Sequence, residues 1–340
     1  MITIGNEMVG ENYRPLVIAE AGTNFGGHLD LGKAFIEEAA RANADIVKFQ
    51  THVRDAEMAE EAMRDLGYGD LYERISQQEF TRSEHAELMT HCEDHGVTFL
   101  STPYSVEGVS ILEDVDAPAI KIGSGELTNY HLLKKAAETN RPLLISTGMA
   151  DMEAVREAVT FVDGHTDAFA LLYCVSAYPT DPSKFNLDLI DDMRAEFGVP
   201  IGFSDHSKGI DVAKLAMGRG ADFVEKHFTL SRKIPWGDPE VSIEPEELRD
   251  LCTFADLCHA VEGTNKEFIE EEHNVGEWAH HSIVANEQIK PGMEISEKHV
   301  TTKRPGTGIP AKKYYQVVGK KAQNHVKKGE LVSWSDIEQE

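Results

Sequence analysis

Two lysines interrupt apolar runs that read as buried strands, Ile46-Val47-Lys48-Phe49-Gln50 and Ala119-Ile120-Lys121-Ile122-Gly123. An ammonium group among apolar neighbours is costly unless a partner of opposite charge meets it. The pattern therefore points to an anion bound inside the core, although pairing with a buried glutamate such as Glu20 or Glu126 would satisfy either lysine as well. Hydroxyls beside glycines, in Gly123-Ser124-Gly125 and Ser146-Thr147-Gly148, add hydrogen bonds and close backbone approach. Two lysines with several such turns suit a phosphorylated or diacidic substrate. A nucleotide is not indicated, because no Walker or G-x-G-x-x-G motif follows a strand.

His206 and His227 end consecutive strand-like runs, and two imidazoles suit a borderline divalent metal with positions left open for water and substrate. Glu225, two residues before His227 on the same strand face, is expected to orient that metal site from behind its ligands. Glu20 and Glu126 offer carboxylates for acid/base work or for gripping hydroxyls. Asp238, in Trp236-Gly237-Asp238-Pro239, is either an ordinary turn aspartate or one that reaches the same mouth. His91 and His95 have helical i, i+4 spacing but lack the Glu of an H-E-x-x-H motif, so they read as a solvated face.

These side chains need a frame that gathers strand ends. Strand-like runs recur at Leu16 to Glu20, Ile46 to Thr51, Val97 to Ser101, Ala119 to Ile122, Leu143 to Ser146, Ala168 to Cys174, Ile201 to Ser204 and Phe223 to His227. Helical patterns lie between them, at 31–42, 83–95, 131–139, 152–162, 187–197, 210–219 and 245–261. About eight βα units predict a TIM (β/α)8 barrel, whose active site lies at the C-terminal ends of the strands. A doubly wound sheet fits the alternation too, but needs no eighth strand. The long excursion from His52 to Arg82 is either a lid over that face or a passive insertion. Beyond the barrel, expected over 1–262, residues 263–278 read as an acidic linker. A small β-rich domain is expected over 279–340, in which Ile289-Lys290-Pro291-Gly292-Met293-Glu294-Ile295 resembles Val326-Lys327-Lys328-Gly329-Glu330-Leu331-Val332.

The formal charge of −26 argues against nucleic acid or an anionic membrane as a partner, since both require a basic footprint. It fits a well-solvated acidic surface or a salt-loving source. The sequence has no run of 18 or more apolar residues and its first residues lack a signal-like pattern, so a cytoplasmic location is expected. The four cysteines lack C-x-x-C pairing and read as reduced thiols.

The ordered motifs Ala19-Glu20-Ala21-Gly22-Thr23-Asn24, Val47-Lys48-Phe49-Gln50-Thr51, Ser101-Thr102-Pro103, Lys121-Ile122-Gly123-Ser124-Gly125-Glu126, Ser146-Thr147-Gly148-Met149, Phe203-Ser204-Asp205-His206 and Val224-Glu225-Lys226-His227-Phe228-Thr229 resemble the sialic acid synthase family. The tail resembles that family's antifreeze-like SAF domain. The resemblance implies a transferase that condenses phosphoenolpyruvate with an open-chain 2-acetamido sugar such as N-acetylmannosamine, giving a nine-carbon 2-keto-3-deoxy acid and phosphate. It implies that Lys48, Thr102, Lys121, Ser124, Ser146, Ser176 and Ser204 hold phosphoenolpyruvate, with Ser176 standing where these synthases often carry Asn. It assigns Glu20, Tyr178, Asp238 and Arg304 to the acceptor sugar, His206 and His227 to Mn or to Mg, Co, Fe or Zn, and acid/base work to Glu126 and Glu20. It also implies a domain-swapped homodimer in which Arg304 enters the partner's active site. The alternatives are a legionaminate or pseudaminate synthase, a phosphoenolpyruvate aldol synthase using a phosphorylated aldose, and a non-catalytic sugar- or metal-binding protein.

Overall fold

The computed structural model describes residues 1–338. The chain divides into two compact units, Met1–Glu262 and Gly263–Glu340.

Eight parallel strands form the first unit's centre: β1 (Leu16–Gly22), β2 (Ile46–Thr51), β3 (Thr98–Pro103), β4 (Ile120–Ile122), β5 (Leu143–Ser146), β6 (Phe169–Cys174), β7 (Ile201–Asp205) and β8 (Phe223–His227). Consecutive strands pair in parallel from β1 to β3 and from β4 to β8, and β8 pairs with β1. β3 and β4 lie side by side at the remaining seam, so the sheet is a nearly closed barrel. Eight helices surround it: α1 (Leu29–Arg41), α2 (Arg82–Asp94), α3 (Val106–Asp114), α4 (Tyr130–Ala137), α5 (Met152–Asp163), α6 (Leu189–Phe197), α7 (Asp211–Gly218) and α8 (Pro245–Ala260). α3 is the helix absent from the sequence reading. It starts where the Ser105 hydroxyl accepts from the Gly108 amide, and it buries Gly108, Val109 and Leu112, too few apolar positions to announce a helix.

Strand periodicity explains how one barrel holds both a core and a polar mouth. Val17, Val47, Phe99, Ile145, Leu171 and Phe203 pack outward in the core shared with the helices. The alternate positions Leu16, Ile18, Ile46, Leu100, Leu144, Leu172 and Phe223 form a separate inner cluster. A short antiparallel hairpin, Ile2–Ile4 with Glu7–Val9, adds Ile2, Ile4 and Val9 to that inner cluster. Gly202 makes room for Phe223 in this cluster, since a Cβ there would lie 2.4 Å from the Phe223 ring. Each fully buried aromatic ring of this kind contributes roughly 2–3 kcal/mol. Further along the same inward face, polar residues replace apolar ones.

The excursion folds into three short helices, Arg54–Glu57, Glu60–Asp65 and Gly69–Ser76. Its return packs against the barrel, where Phe80 stacks on Phe25 with ring centroids 5.4 Å apart.

In the second unit, residues 263–278, expected as a linker, contain a 3-10 turn at Glu270–Glu272 and most of a helix, His273–Ala279. Two antiparallel strands follow, Ser282–Ala285 and Val300–Lys303. The two self-similar segments meet through an antiparallel bridge between Ile289 and Val326, and Ile283, Ile295, Ile309, Val317 and Val332 complete a small core.

Candidate active site

The C-terminal ends of the strands converge on one cavity of about 370 Å³. Of the residues singled out from sequence, Glu20, Lys48, Thr102, Lys121, Ser124, Ser146, Ser176, Tyr178, Ser204, His206, His227 and Asp238 all line it. Gln50, Tyr104, Met149, Cys174 and Glu225 complete much of the wall.

Both lysines are buried and held. Lys48 Nζ lies 2.9 Å from Glu225 Oε2 and 3.2 Å from Glu20 Oε2, and donates to Thr102 Oγ1 at 3.3 Å. Lys121 Nζ donates to Ser146 Oγ at 2.6 Å and to the Ile122 carbonyl at 3.0 Å, with Glu225 Oε2 only at 4.0 Å. Burial opposes the charge on Lys48, but its two carboxylates outweigh burial and hold its pKa above the ordinary lysine value. For Lys121 burial wins over Glu225, and the pKa falls to about 8.

Glu225 corrects a sequence expectation. It faces Lys48, Lys121 and Ser204, whose hydroxyl donates to it at 3.0 Å, and is the lysines' counter-ion, not a histidine's support. Burial would raise its pKa, yet the two lysines pull it down to about 2. Glu20 goes the other way. Burial, together with repulsion from Glu225, raises it to about 7 against the pull of Lys48. Below about pH 7, where Glu20 takes up its proton, the two lysines face Glu225 alone and the core of the cavity is left with a net positive charge that suits an anion. Gln50 fixes Glu20 in place by donating to its Oε1 at 3.1 Å.

His206 and His227 have ring centroids 5.4 Å apart. His206 Nδ1–H donates to the Val175 carbonyl at 2.9 Å, leaving Nε2 as the lone-pair nitrogen. Burial holds His227 well below the ordinary histidine value, with help from His206 and Lys48, so its imidazole is neutral. Its Nδ1 is buried without a hydrogen-bond partner, and Asp238 Oδ2 stands 3.9 Å away. Burial opposes the charge on His206, but Cys174 outweighs burial and holds its pKa above the ordinary histidine value. Each ring still keeps one nitrogen free to act as a ligand, so the pair fits a divalent ion, which would displace any proton there. Among the described residues no third His, Cys, Asp or Glu joins them closely enough for an all-protein triad. Tyr178 covers the pair, its ring 4.1 Å from His206 and edge-on to His227 at 5.7 Å.

Local structure explains how loop residues reach the cavity. Asp238 is pinned through Asn24, whose Oδ1 accepts from the Asp238 amide at 2.8 Å and whose Nδ2 donates to the Phe228 carbonyl at 2.7 Å. The preceding Gly237 is at φ +68, and a Cβ there would lie 1.9 Å from Asn24 Oδ1. Gly148 brings its amide to Ser124 Oγ at 3.1 Å, and a Cβ on it would lie 2.3 Å from Ser176 Oγ.

Two candidates lie apart from this set. Glu126, in a 3-10 turn after β4, is half-buried, accepts from Asn129 Nδ2 at 2.6 Å and does not line the cavity. Arg304 belongs to the second unit, where its Nε donates to the Ala279 carbonyl at 3.0 Å and its guanidinium lies 5.2 Å from the centre of the Trp278 ring. No residue of the excursion lines the cavity. It acts as a support, since His52 stacks on Tyr104 at 4.8 Å and bonds Gln50 Oε1 at 3.0 Å and Glu57 at 3.0 Å. Lys226, also in an apolar run, points away from the cavity and pairs with Asp205 at 3.0 Å.

No helix among the described residues is long and apolar enough to cross a membrane. Residues 35–267 match the NeuB family and residues 280–338 match the SAF domain. The N,N'-diacetyllegionaminic acid synthase of Campylobacter jejuni is 35% identical over 331 residues, covering 94% of this chain and 99% of that one. Human N-acetylneuraminate-9-phosphate synthase is 31% identical over 322 residues, 92% of this chain and 90% of the human one. The crystal structure of an N-acetylneuraminic acid synthetase from Leptospira borgpetersenii, in complex with citrate, is 33% identical, covers 81% of this chain and 94% of that chain, and superimposes with a TM-score of 0.74. With a polar mouth on a (β/α)8 barrel, a C-terminal SAF region and relatives that are nonulosonate synthases, the chain belongs to the NeuB family.

Proposed function

We propose that the protein is a nonulosonate synthase that condenses phosphoenolpyruvate with an open-chain 2-acetamido sugar of the N-acetylmannosamine type. The observation that carries this reading is the pair of buried lysines, Lys48 and Lys121, sharing Glu225 as their close ionised partner in a cavity rimmed by hydroxyls. Such a site is undercharged by negative groups and suits a small polyanion with a carboxylate and a phosphate.

In this reading Lys48 and Lys121 neutralise phosphoenolpyruvate, while Thr102, Ser124, Ser146, Ser176 and Ser204 bond its oxygens. C3 of the enol attacks the aldehyde carbon of the acceptor, forming the new C–C bond as the aldehyde oxygen takes a proton. Water adds at C2, and the resulting tetrahedral carbon expels phosphate by C–O cleavage, with the lysines stabilising the departing charge. Glu20, Tyr178 and Asp238 orient the acceptor. Glu126 takes the water's proton only if its carboxylate leaves Asn129 and turns toward C2. His206 and His227 would hold a divalent cation, Mn first and Mg, Co, Fe or Zn as alternatives, which when bound supplies Lewis-acid polarisation of the acceptor carbonyl. The SAF region completes the site across a homodimer, the partner's Arg304 meeting the acylamino group.

The test is phosphate release from phosphoenolpyruvate by purified protein with Mn, across N-acetylmannosamine, diacetamido 6-deoxy hexoses and arabinose 5-phosphate. Release that depends on an acetamido sugar and is abolished by EDTA is expected. Release with only the phosphorylated aldose, or with none of them, overturns the proposal.

A further inference from the structure

A second group of metal-capable side chains lies outside the cavity, across two helices of the barrel's outer layer. His91, in the last turn of α2, and His95, its C-cap, are one turn apart, with ring centroids 4.3 Å from each other. Their sequence neighbourhood supplies no third ligand of the H-E-x-x-H kind, but the fold does. Glu37 on α1 brings Oε1 to 3.4 Å from His91 Nε2, and one ligand atom from each of Glu37, His91 and His95 lies within 4.8 Å of the other two.

The details of the three groups favour a ligand. His91 Nε2 is buried and has no hydrogen-bond partner, an arrangement that a bound ion would relieve. His95 Nδ1–H donates to the His91 carbonyl at 2.9 Å, which fixes its tautomer and leaves Nε2 with the free lone pair. Glu37 gives Oε2 to Arg41 at 3.3 Å, so its Oε1 is the oxygen left for the histidines. A tetrahedral ion with bonds of about 2.0–2.1 Å holds its ligands about 3.4 Å apart. A bound ion would draw the three ligand atoms from within 4.8 Å of one another to that spacing.

We infer that Glu37, His91 and His95 form a second cation site, which takes a borderline divalent transition ion of the Zn²⁺ class, completes its shell with water and ties α1 to α2. The site shares no residue with the cavity and does not depend on the proposed reaction. Its role is that of a clamp between helices, because all three ligands lie outside the catalytic set.

The experiment is equilibrium dialysis of the EDTA-stripped full-length protein against Zn²⁺, with wild type, His95→Ala, Glu37→Gln and, separately, His206→Ala. His95 is exposed, so its loss leaves the core intact, and Glu37→Gln keeps the helix shape. His95→Ala should bind about one equivalent fewer than wild type, Glu37→Gln should bind that equivalent at least about tenfold more weakly, and Zn²⁺ should raise the melting midpoint of wild type more than that of His95→Ala. Equal stoichiometry and affinity in wild type, His95→Ala and Glu37→Gln overturn the inference. An equivalent lost in His206→Ala alone does so as well, since all the bound metal is then in the cavity.

Discussion

Lys48 and Lys121 share Glu225 but sit in different electrostatic company, and replacing them should separate binding from stability. Removing Lys48 leaves Glu20 and Glu225 without their shared cation in the barrel interior. Lys48→Met should therefore unfold more easily, by about 3 kcal/mol in denaturant titration, and also lose activity. Lys121 pays a net desolvation cost in the free protein, and Glu225 retains Lys48 when it is gone. Lys121→Met should keep its melting midpoint within a few degrees while phosphate release falls at least about a hundredfold. Glu20 gives a pH signature. Its pKa is raised from 4.5 to about 7 in the fold, so the native chain takes up a proton that the unfolded chain releases. That contribution to stability is fully present below about pH 4.5 and is lost as pH rises through about 7. Glu20→Gln should flatten this part of the pH–stability curve of the ligand-free protein, and an unchanged slope in pH-dependent melts would refute the assignment.

The loops after β4, β5 and β6 act as one cup, because Gly148 lets Ser124 and Ser176 approach its backbone together. A Cβ at Gly148 would stand 2.3 Å from Ser176 Oγ, 2.7 Å from Ser124 Oγ and 3.1 Å from Cys174 Sγ. Gly148→Ala should raise KM for phosphoenolpyruvate at least about tenfold and cost about 1–3 kcal/mol of stability, with a smaller change in kcat. Unchanged KM would mean that these hydroxyls do not grip the substrate. The excursion acts less directly. Its His52 buttresses Gln50 and Tyr104, so it shapes that wall of the cavity without lining it.

Across the whole molecule, a chain with 59 acidic and 33 basic side chains draws a polyanion only where cations are concentrated and shielded from bulk water. The lysine pair at the barrel mouth provides that place. The proposed exchange of Arg304 between subunits makes a quantitative statement about assembly. Arg304→Ala and Lys121→Met chains should each be inactive alone. After unfolding and refolding together in equal amounts, they should recover about a quarter of wild-type activity, since half of random dimers are mixed and each carries one intact site. No recovery, with dimers present by light scattering, would place Arg304 outside its partner's site.

The sequence alone was enough to predict the barrel and most of the residues at its mouth. Period-two alternation marks which strand positions face inward, a lysine interrupting an apolar run marks Lys48 and Lys121, and a polar residue closing such a run marks Ser204 and His227, so the four are visible as a set. Pairing between strands and helices was not visible, because it depends on barrel register and closure, not on neighbours in the chain. Glu225 was expected beside a histidine, yet the parallel register of β8 with β1 and β7 sets it between the lysines and Ser204. Glu126 stands next to the cavity in sequence but outside its lining, because a 3-10 turn directs its carboxylate to Asn129. Glu37 and His95 are 58 residues apart, and only the packing of α1 on α2 brings them together.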